Sequence, residues 1–140
     1  WLLENGPITK RIKQKGTFRL HLIRDEFSSI KQDDKDFIEC TSNEIKLREV
    51  LLYCDDSPIV FAQTIIPAET ISRGLKQLGS LGTKPLGDIL FEKDVFTKDK
   101  VLYALFEKNS HSYWGRKAKY IVKGYKFSVM EVFLIDAKDG

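Results

Sequence analysis

Two short polar turns constrain the fold of this chain more than any other feature of its sequence. Residues 55–58 (DDSP) and 123–126 (KGYK) have the composition of tight turns. Each lies between two apolar-rich stretches of strand length, which are 44–54 and 59–67 for the first turn and 118–122 and 127–135 for the second. Strands joined by so few residues pair antiparallel, so the sequence predicts two hairpins of an antiparallel sheet.

The segments outside these hairpins predict further strands and several short helices. Phe18, Leu20 and Leu22 recur at the period of a strand. The other predicted elements are the end of a helix at 1–4, a helix capped by Thr9 that runs to Gln14 and closes at Gly16, a loop at 28–35, helices at 68–81 and 85–91, and a strand at 95–108. Together they predict a single α+β domain, 1–140, built on a mostly antiparallel sheet.

Composition limits the classes of protein to which the chain can belong. Its 140 residues, 42% of them hydrophobic, suit one core. The 23 basic and 20 acidic residues leave a net charge of +3, too small an excess to predict nucleic-acid binding, and no apolar run is long enough for a membrane span. Two cysteines make no disulfide framework, so we expect a reduced, cytoplasmic protein. Because the chain begins with Trp1, we expect part of an N-terminal segment to precede it.

Two charged residues occupy strand faces that are otherwise apolar. Glu131 is the only charge in 128–135 (SVMEVFLI), and Arg48 shares its face with Val50 and Leu52. One interpretation is a buried ion pair between Arg48 and Glu131, although desolvation offsets much of the attraction in such pairs. The other is a closed cavity whose ligand has an anionic end and a hydroxylated end. Strand periodicity alone does not choose between the two.

No other group of side chains predicts a stronger site. His21 and His111 lack Cys or carboxylate companions at metal-ligand spacing, so no metal site is predicted. Cys54 has no His–acid arrangement near it in sequence and is interpreted as a packed residue. The stretch 79–87 (GSLGTKPLG) lacks the phosphate-loop pattern, although its main-chain N–H groups and the helix that follows suit an anion. Residues 113–117 (YWGRK) are interpreted as an exposed turn.

Several short motifs follow one another along nearly the whole chain. They are WLL at 1–3 with ITKR at 8–11, LREVLL at 47–52, TIIP at 64–67, LG at 78–79 with KPLG at 84–87 and LF at 90–91, WGRK at 114–117, and EVFL at 131–134. In this order and at this spacing they resemble the chorismate lyase family. The resemblance covers residues 1–135.

The resemblance implies both a fold and an activity. The fold is an antiparallel sheet with short helices covering one side and two flap regions that close an internal ligand cavity. The activity converts chorismate to 4-hydroxybenzoate and pyruvate without a metal or organic cofactor, and the product usually feeds quinone synthesis. By resemblance, Arg48 grips the ring carboxylate, Glu131 meets the ring hydroxyl, and the main-chain amides of Ile8 and Leu86 contact the ligand carboxylate. Arg48 and Glu131 are therefore the expected catalytic residues.

The second carboxylate of chorismate, on its enolpyruvyl group, calls for a second cation. The family pattern implies an arginine where this chain has Gln63. Lys84 or Arg116 are the first candidates to replace that arginine, followed by Lys10 or Arg11.

Two other functions remain open at the level of sequence. Effector-binding domains of GntR-type transcription regulators share this general architecture and bind small anions without catalysis, but they are normally attached to a basic winged helix-turn-helix, which this sequence does not contain. A lyase that forms an isomeric hydroxybenzoate is the other alternative. We expect a monomer that binds chorismate and 4-hydroxybenzoate and has no nucleic-acid or membrane partner.

Overall fold

The computed structural model describes residues 8–92 and 95–136, which form six strands and three α-helices. The strands are β1 (Phe18–Phe27), β2 (Ile45–Cys54), β3 (Ser57–Pro67), β4 (Phe96–Lys108), β5 (His111–Val122) and β6 (Tyr125–Asp136). The helices are α1 (Ile8–Lys15), α2 (Gln32–Phe37) and α3 (Leu86–Glu92), with a π-helical turn (Thr70–Gly74) and a 3-10 turn (Lys76–Gly79) before α3. Within the described ranges, no helix has the length and apolar character needed to cross a membrane.

All six strands belong to one antiparallel sheet in the order β1-β2-β3-β6-β5-β4. The sheet consists of two three-stranded meanders, β1–β3 and β4–β6, which join where β3 pairs with β6. Both predicted hairpins are confirmed. In the second hairpin Lys123 and Gly124 have φ angles of 51° and 84°, which are the left-handed values that a type I′ turn requires.

The two faces of the sheet carry separate parts of the hydrophobic core. On one face, called the cavity face below, α1, α3 and the segment between β3 and α3 pack on strand residues such as Val50 and Phe127. On the opposite face, called the far face, Ile38 at the end of α2 packs on Leu47 and Ile65. The predicted α+β class is confirmed. Helices α1 and α3 cover one side as expected, and the end of α2 covers apolar residues of the far face in addition.

Three local predictions differ from the structure. The loop predicted at 28–35 ends early, since α2 begins at Gln32. The helix predicted at 68–81 breaks after Gly74, because Leu75 is extended (φ −139°, ψ 110°). Thr9 lies within α1 instead of capping it. The helix predicted at 85–91 and the strand predicted at 95–108 are confirmed to within one residue at each end. The predicted helix end at 1–4 lies outside the described residues.

Residues 113–117 are not an exposed turn but part of β5. The chain turns at residues 109–110 instead, where both φ angles are positive. Gly115 pairs with strands on both sides, and a Cβ atom added to it would lie 2.6 Å from the ring of Phe106. The absence of a side chain at Gly115 therefore permits close packing across the sheet. A glycine in the sequence is compatible with this role or with a turn, so the sequence did not distinguish the two.

Candidate ligand-binding site

A cavity lies between the cavity face of the sheet and the helices α1 and α3. The space in it that is open to the centre of a water-sized sphere is about 70 Å³. The lining residues are Ile8 and Thr9 of α1, Leu20 of β1, Arg48, Val50 and Leu52 of β2, Ala62 and Thr64 of β3, Pro85, Leu86, Gly87 and Leu90 at α3, Arg116 and Tyr120 of β5, and Val129 and Glu131 of β6. Among the described residues, the charge in this mostly apolar lining comes from two arginines and one glutamate.

The structure brings most of the predicted site residues together. Those that line the cavity are Ile8, Arg48, Leu86, Glu131 and Arg116. The side chains of Lys84 and Lys10 are exposed and do not line it. Of the candidates for a second cation, Arg116 is therefore the one that the described lining includes.

Arg48 is a buried cation that is bonded to a loop through Nη2 and whose Nε is unpaired within the described chain. Arg48 is only 2% exposed. Side chains alternate along β2, and that of Arg48 lies on the cavity face, which the helices cover. Its Nη2 donates hydrogen bonds to the main-chain oxygens of Gly82 (3.1 Å) and Lys84 (2.8 Å). Within the described chain its Nε is buried without a hydrogen-bond partner. Burial lowers the pKa of Arg48, and the charge of Asp25 opposes that shift. An anion in the cavity would satisfy both the unpaired donor and the buried charge.

Glu131 is paired with Arg116, not with Arg48. The two residues lie opposite each other on β5 and β6, and Arg116 Nε donates to Glu131 Oε1 over 2.8 Å. Their side chains are 14% and 19% exposed. The guanidinium of Arg116 also lies over the ring of Phe133 at 5.5 Å. The interpretation of an Arg48–Glu131 ion pair is wrong, because the register of β5 and β6 supplies a nearer cation.

Gln63 lies on the far face, where it cannot contact a ligand in the cavity. Its amide donates to Glu49 Oε2 over 3.1 Å, whereas its neighbours Ala62 and Thr64 line the cavity. Because side chains alternate along β3, any residue at position 63 begins on the far side of the sheet. The absence of an arginine there removes no cation from the described lining.

Tyr120 is a cavity residue that the sequence analysis missed. Its ring stacks on Phe127 with the centroids 5.5 Å apart. Burial and then the charge of Glu131 raise the pKa of Tyr120 to about 12, against a smaller opposing effect of Arg116. The tyrosine therefore stays a neutral hydroxyl near neutral pH. Strand alternation from Arg116 would have placed it on the same face, but the prediction began the strand only at residue 118.

The stability of the protein at alkaline pH tests the raised pKa of Tyr120. An unfolded tyrosine ionises near pH 10, so the stability linked to the raised pKa of Tyr120 is complete below about pH 10 and is lost as the pH rises to about 12. We expect Tyr120→Phe to lose less unfolding free energy over this interval than the wild type, by up to about 2 kcal/mol. Urea unfolding at several pH values measures this difference. Tyr103→Phe, at an exposed position, is the control, and equal slopes for all three proteins would contradict the assignment.

The lining contains no evident metal site. Within residues 8–92 and 95–136, no three His, Cys, Asp or Glu side chains lie close enough to hold a metal ion. The polar side chains of the described lining are the two guanidinium groups, the carboxylate of Glu131 and the hydroxyl groups of Thr9, Thr64 and Tyr120.

Fold and cavity together define an α+β domain with an arginine-lined internal cavity, and comparison with known proteins makes the class more specific. The family model described as chorismate lyase matches residues 1–138, and the chain belongs to this family. A probable chorismate pyruvate-lyase of Pseudoalteromonas translucida is 30% identical over 96% of this chain and 82% of the relative. The chorismate pyruvate-lyase of Pectobacterium atrosepticum is 31% identical over 96% of this chain and 75% of the relative.

Two of the solved structures that share this fold are domains of a repressor and of the protein PhnF. The C-terminal domain of the histidine utilization repressor from Pseudomonas syringae superposes with a TM-score of 0.66 at 6% identity, over 89% of this chain and 94% of that one. The effector domain of PhnF from Mycobacterium smegmatis gives 0.65 at 10% identity, over 97% and 91%. At such identities the likeness shows the shared fold alone.

Proposed function

We propose that this protein is a chorismate pyruvate-lyase, which converts chorismate to 4-hydroxybenzoate and pyruvate and so supplies the aromatic ring for quinone synthesis. The observation that carries the proposal is the buried Arg48, which lines a mostly apolar cavity and keeps an unpaired Nε. Such a donor suits a carboxylate on a flat apolar ring. Family membership and the named relatives support the choice of chorismate as that molecule.

In the proposed complex the ligand lies across the cavity from Arg48 to Glu131. The ring carboxylate accepts from Arg48 and from the main-chain amides of Ile8 and Leu86, while the ring contacts Val50. The opposite end of the ring, with the 4-hydroxyl, then lies toward Glu131 on β6. A carboxylate bound by both a guanidinium and amides has a defined orientation, which is what a reaction at the far end of the ring requires.

The proposed reaction needs little from the protein beyond orientation and charge stabilisation. The ether bond between the ring and the enolpyruvyl oxygen breaks, and its electron pair leaves with that oxygen. The leaving group is the enolate of pyruvate, and protonation of its methylene carbon gives pyruvate. The ring carbon that bears the hydroxyl loses its proton, and the C–H electrons complete the aromatic ring. Glu131 either accepts that proton or polarises the hydroxyl. Arg116, which donates to Glu131, stabilises the carboxylate of the leaving group.

Turnover of chorismate by the purified protein tests this function directly. We expect 4-hydroxybenzoate and pyruvate in equal amounts by chromatography, and little product from Arg48→Ala. An isomeric hydroxybenzoate would overturn the proposed regiochemistry. Tight binding of 4-hydroxybenzoate without turnover would instead favour an effector-binding domain.

The proposed roles of Ile8 and Leu86 depend on their backbone, so their side chains should tolerate change. We expect Ile8→Val to cost about 0.5–1.5 kcal/mol of stability and Leu86→Met less than about 1.5 kcal/mol, as is usual for buried apolar exchanges. The Kd for 4-hydroxybenzoate, measured by calorimetry, should change by no more than about threefold, because the amides remain in place. A severe loss of affinity in both variants would mean that the side chains themselves make the essential contacts.

A further inference from the structure

Two cations of β2 hold down the segment that leads into α3. This segment, residues 79–85, is called the 79–85 loop. Lys46 Nζ donates to the main-chain oxygen of Gly79 over 2.8 Å, and Arg48 Nη2 donates to those of Gly82 and Lys84. Three carbonyl groups of one loop thus accept charge-assisted hydrogen bonds from two side chains of one strand. Such bonds are stronger than those between neutral groups.

Lys46 and Arg48 both interact with the carboxylate of Asp25, and both are hydrogen-bonded to the 79–85 loop. Lys46 precedes Arg48 by two residues on the same face of β2, and its side chain is 13% exposed. Its Nζ lies 3.1 Å from Asp25 Oδ1. Asp25 is directly opposite Arg48 in the pairing of β1 with β2, and its charge acts on Arg48 too. One carboxylate therefore faces two cations, the buried Arg48 and the partly buried Lys46, and each cation is bonded to the same loop.

The 79–85 loop connects these cations to the ligand cavity. Pro85 and Leu86, at the start of α3, line the cavity, whereas Lys46 does not. Gly82 has a φ of 56°, a conformation in which residues with a Cβ are strained, so the loop has a defined bend at the middle one of its three bonded carbonyl groups. Moving the loop away from the sheet would break the bonds to both cations.

We infer that Lys46, aligned by Asp25, is a positioning residue of the cavity. It holds the 79–85 loop against the sheet before a ligand arrives, so that Arg48 and the amide of Leu86 already have their binding geometry. The identity of the ligand rests on the function proposed above, but the anchoring of the loop does not. A preorganised site of this kind loses less conformational entropy on binding.

The first measurement follows the loop in the ligand-free protein. Lys46→Met keeps the apolar stem but removes the bond to Gly79 and the pair with Asp25. Hydrogen exchange followed by mass spectrometry should show amides of residues 79–85 exchanging about tenfold faster or more, with the central strands unchanged. Lys117→Met is the matched control, because Lys117 forms a similar half-buried pair with Asp34 on the far face. It should leave exchange in the loop as in the wild type.

The second measurement follows the ligand. Lys46→Met should bind 4-hydroxybenzoate about tenfold more weakly, with most of the change in the dissociation rate, as loss of a preorganised site predicts. Lys46→Arg retains charge and donors and should recover most of the affinity. If Lys46→Met proves unstable because Asp25 loses one of its two cations, Lys46→Gln, which carries no charge but can still donate to Asp25, is measured in its place.

The outcomes separate this inference from the proposed function. Unchanged loop exchange in Lys46→Met would overturn the anchoring. Faster loop exchange with wild-type affinity and dissociation rate would overturn the positioning role. If the wild type neither binds 4-hydroxybenzoate nor converts chorismate, the proposed function fails, whereas the exchange measurement still decides whether Lys46 anchors the loop.

Discussion

Replacing Arg48 with alanine should weaken binding of 4-hydroxybenzoate by about 1.5–3 kcal/mol, or roughly 10- to 150-fold in Kd. The ligand carboxylate would then be buried without the guanidinium, and two carbonyls of the 79–85 loop would lose their donor. The effect should exceed that of any conservative change at Ile8 or Leu86. Calorimetric titration measures it, and Arg24→Ala serves as the matched control because Arg24 lies on β1 outside the lining.

Arg48→Lys tests whether the charge alone is sufficient. An ammonium lacks the planar fork of a guanidinium, and it cannot donate to two loop carbonyls while it also presents two nitrogens to one carboxylate. We therefore expect most of the loss seen with alanine. Wild-type affinity in Arg48→Lys would show that binding does not require the planar guanidinium.

Replacing Glu131 with glutamine should reduce turnover of chorismate by about 100- to 10,000-fold, the usual contribution of a positioned acid or base. The amide has nearly the same shape, and its oxygen can still accept from Arg116 Nε. Because glutamine keeps that hydrogen bond and the pair borders the cavity, we expect the change to cost clearly less than the roughly 3–5 kcal/mol of a broken buried pair. The melting temperature should thus fall only slightly while turnover is lost. Thermal melting and a chorismate assay on the same preparation measure both quantities.

The control for Glu131 is a glutamate with similar exposure on the other side of the sheet. Glu49 lies on the far face, where it accepts from Gln63, and its side chain is 15% exposed. Glu49→Gln should keep wild-type turnover. A large fall in the melting temperature of Glu131→Gln, with turnover per folded molecule intact, would show that Glu131 has a structural role and would contradict its proposed catalytic role.

Much of the sheet could be predicted because its strands follow simple patterns. Alternating apolar residues and two short turns predicted both hairpins, and these are present. Helix α2 escaped prediction because its six residues, QDDKDF, are too few and too polar to show a helical period. Its apolar contact comes from Phe37 and Ile38 at its end. Only packing against the far face identifies that role.

The site could be predicted in part, for a related reason. Alternation alone put Arg48 and Glu131 on apolar faces, and both line the cavity. The partner of Glu131 could not be predicted, because it depends on the register of β5 against β6. The roles assigned to Ile8 and Leu86 came from the family resemblance, since backbone contacts have no signature in side-chain patterns.

The order of the strands also has a consequence for how this protein acquires its ligand site. Arg48 belongs to the first meander, whereas Arg116 and Glu131 belong to the second, and the two meanders meet where β3 pairs with β6. That pairing joins segments distant in the chain, and such contacts form slowly. Neither half of the polypeptide contains the complete cavity before they meet. A ligand can therefore bind only after the whole sheet has formed. Its binding slows unfolding of the native state and does not speed folding.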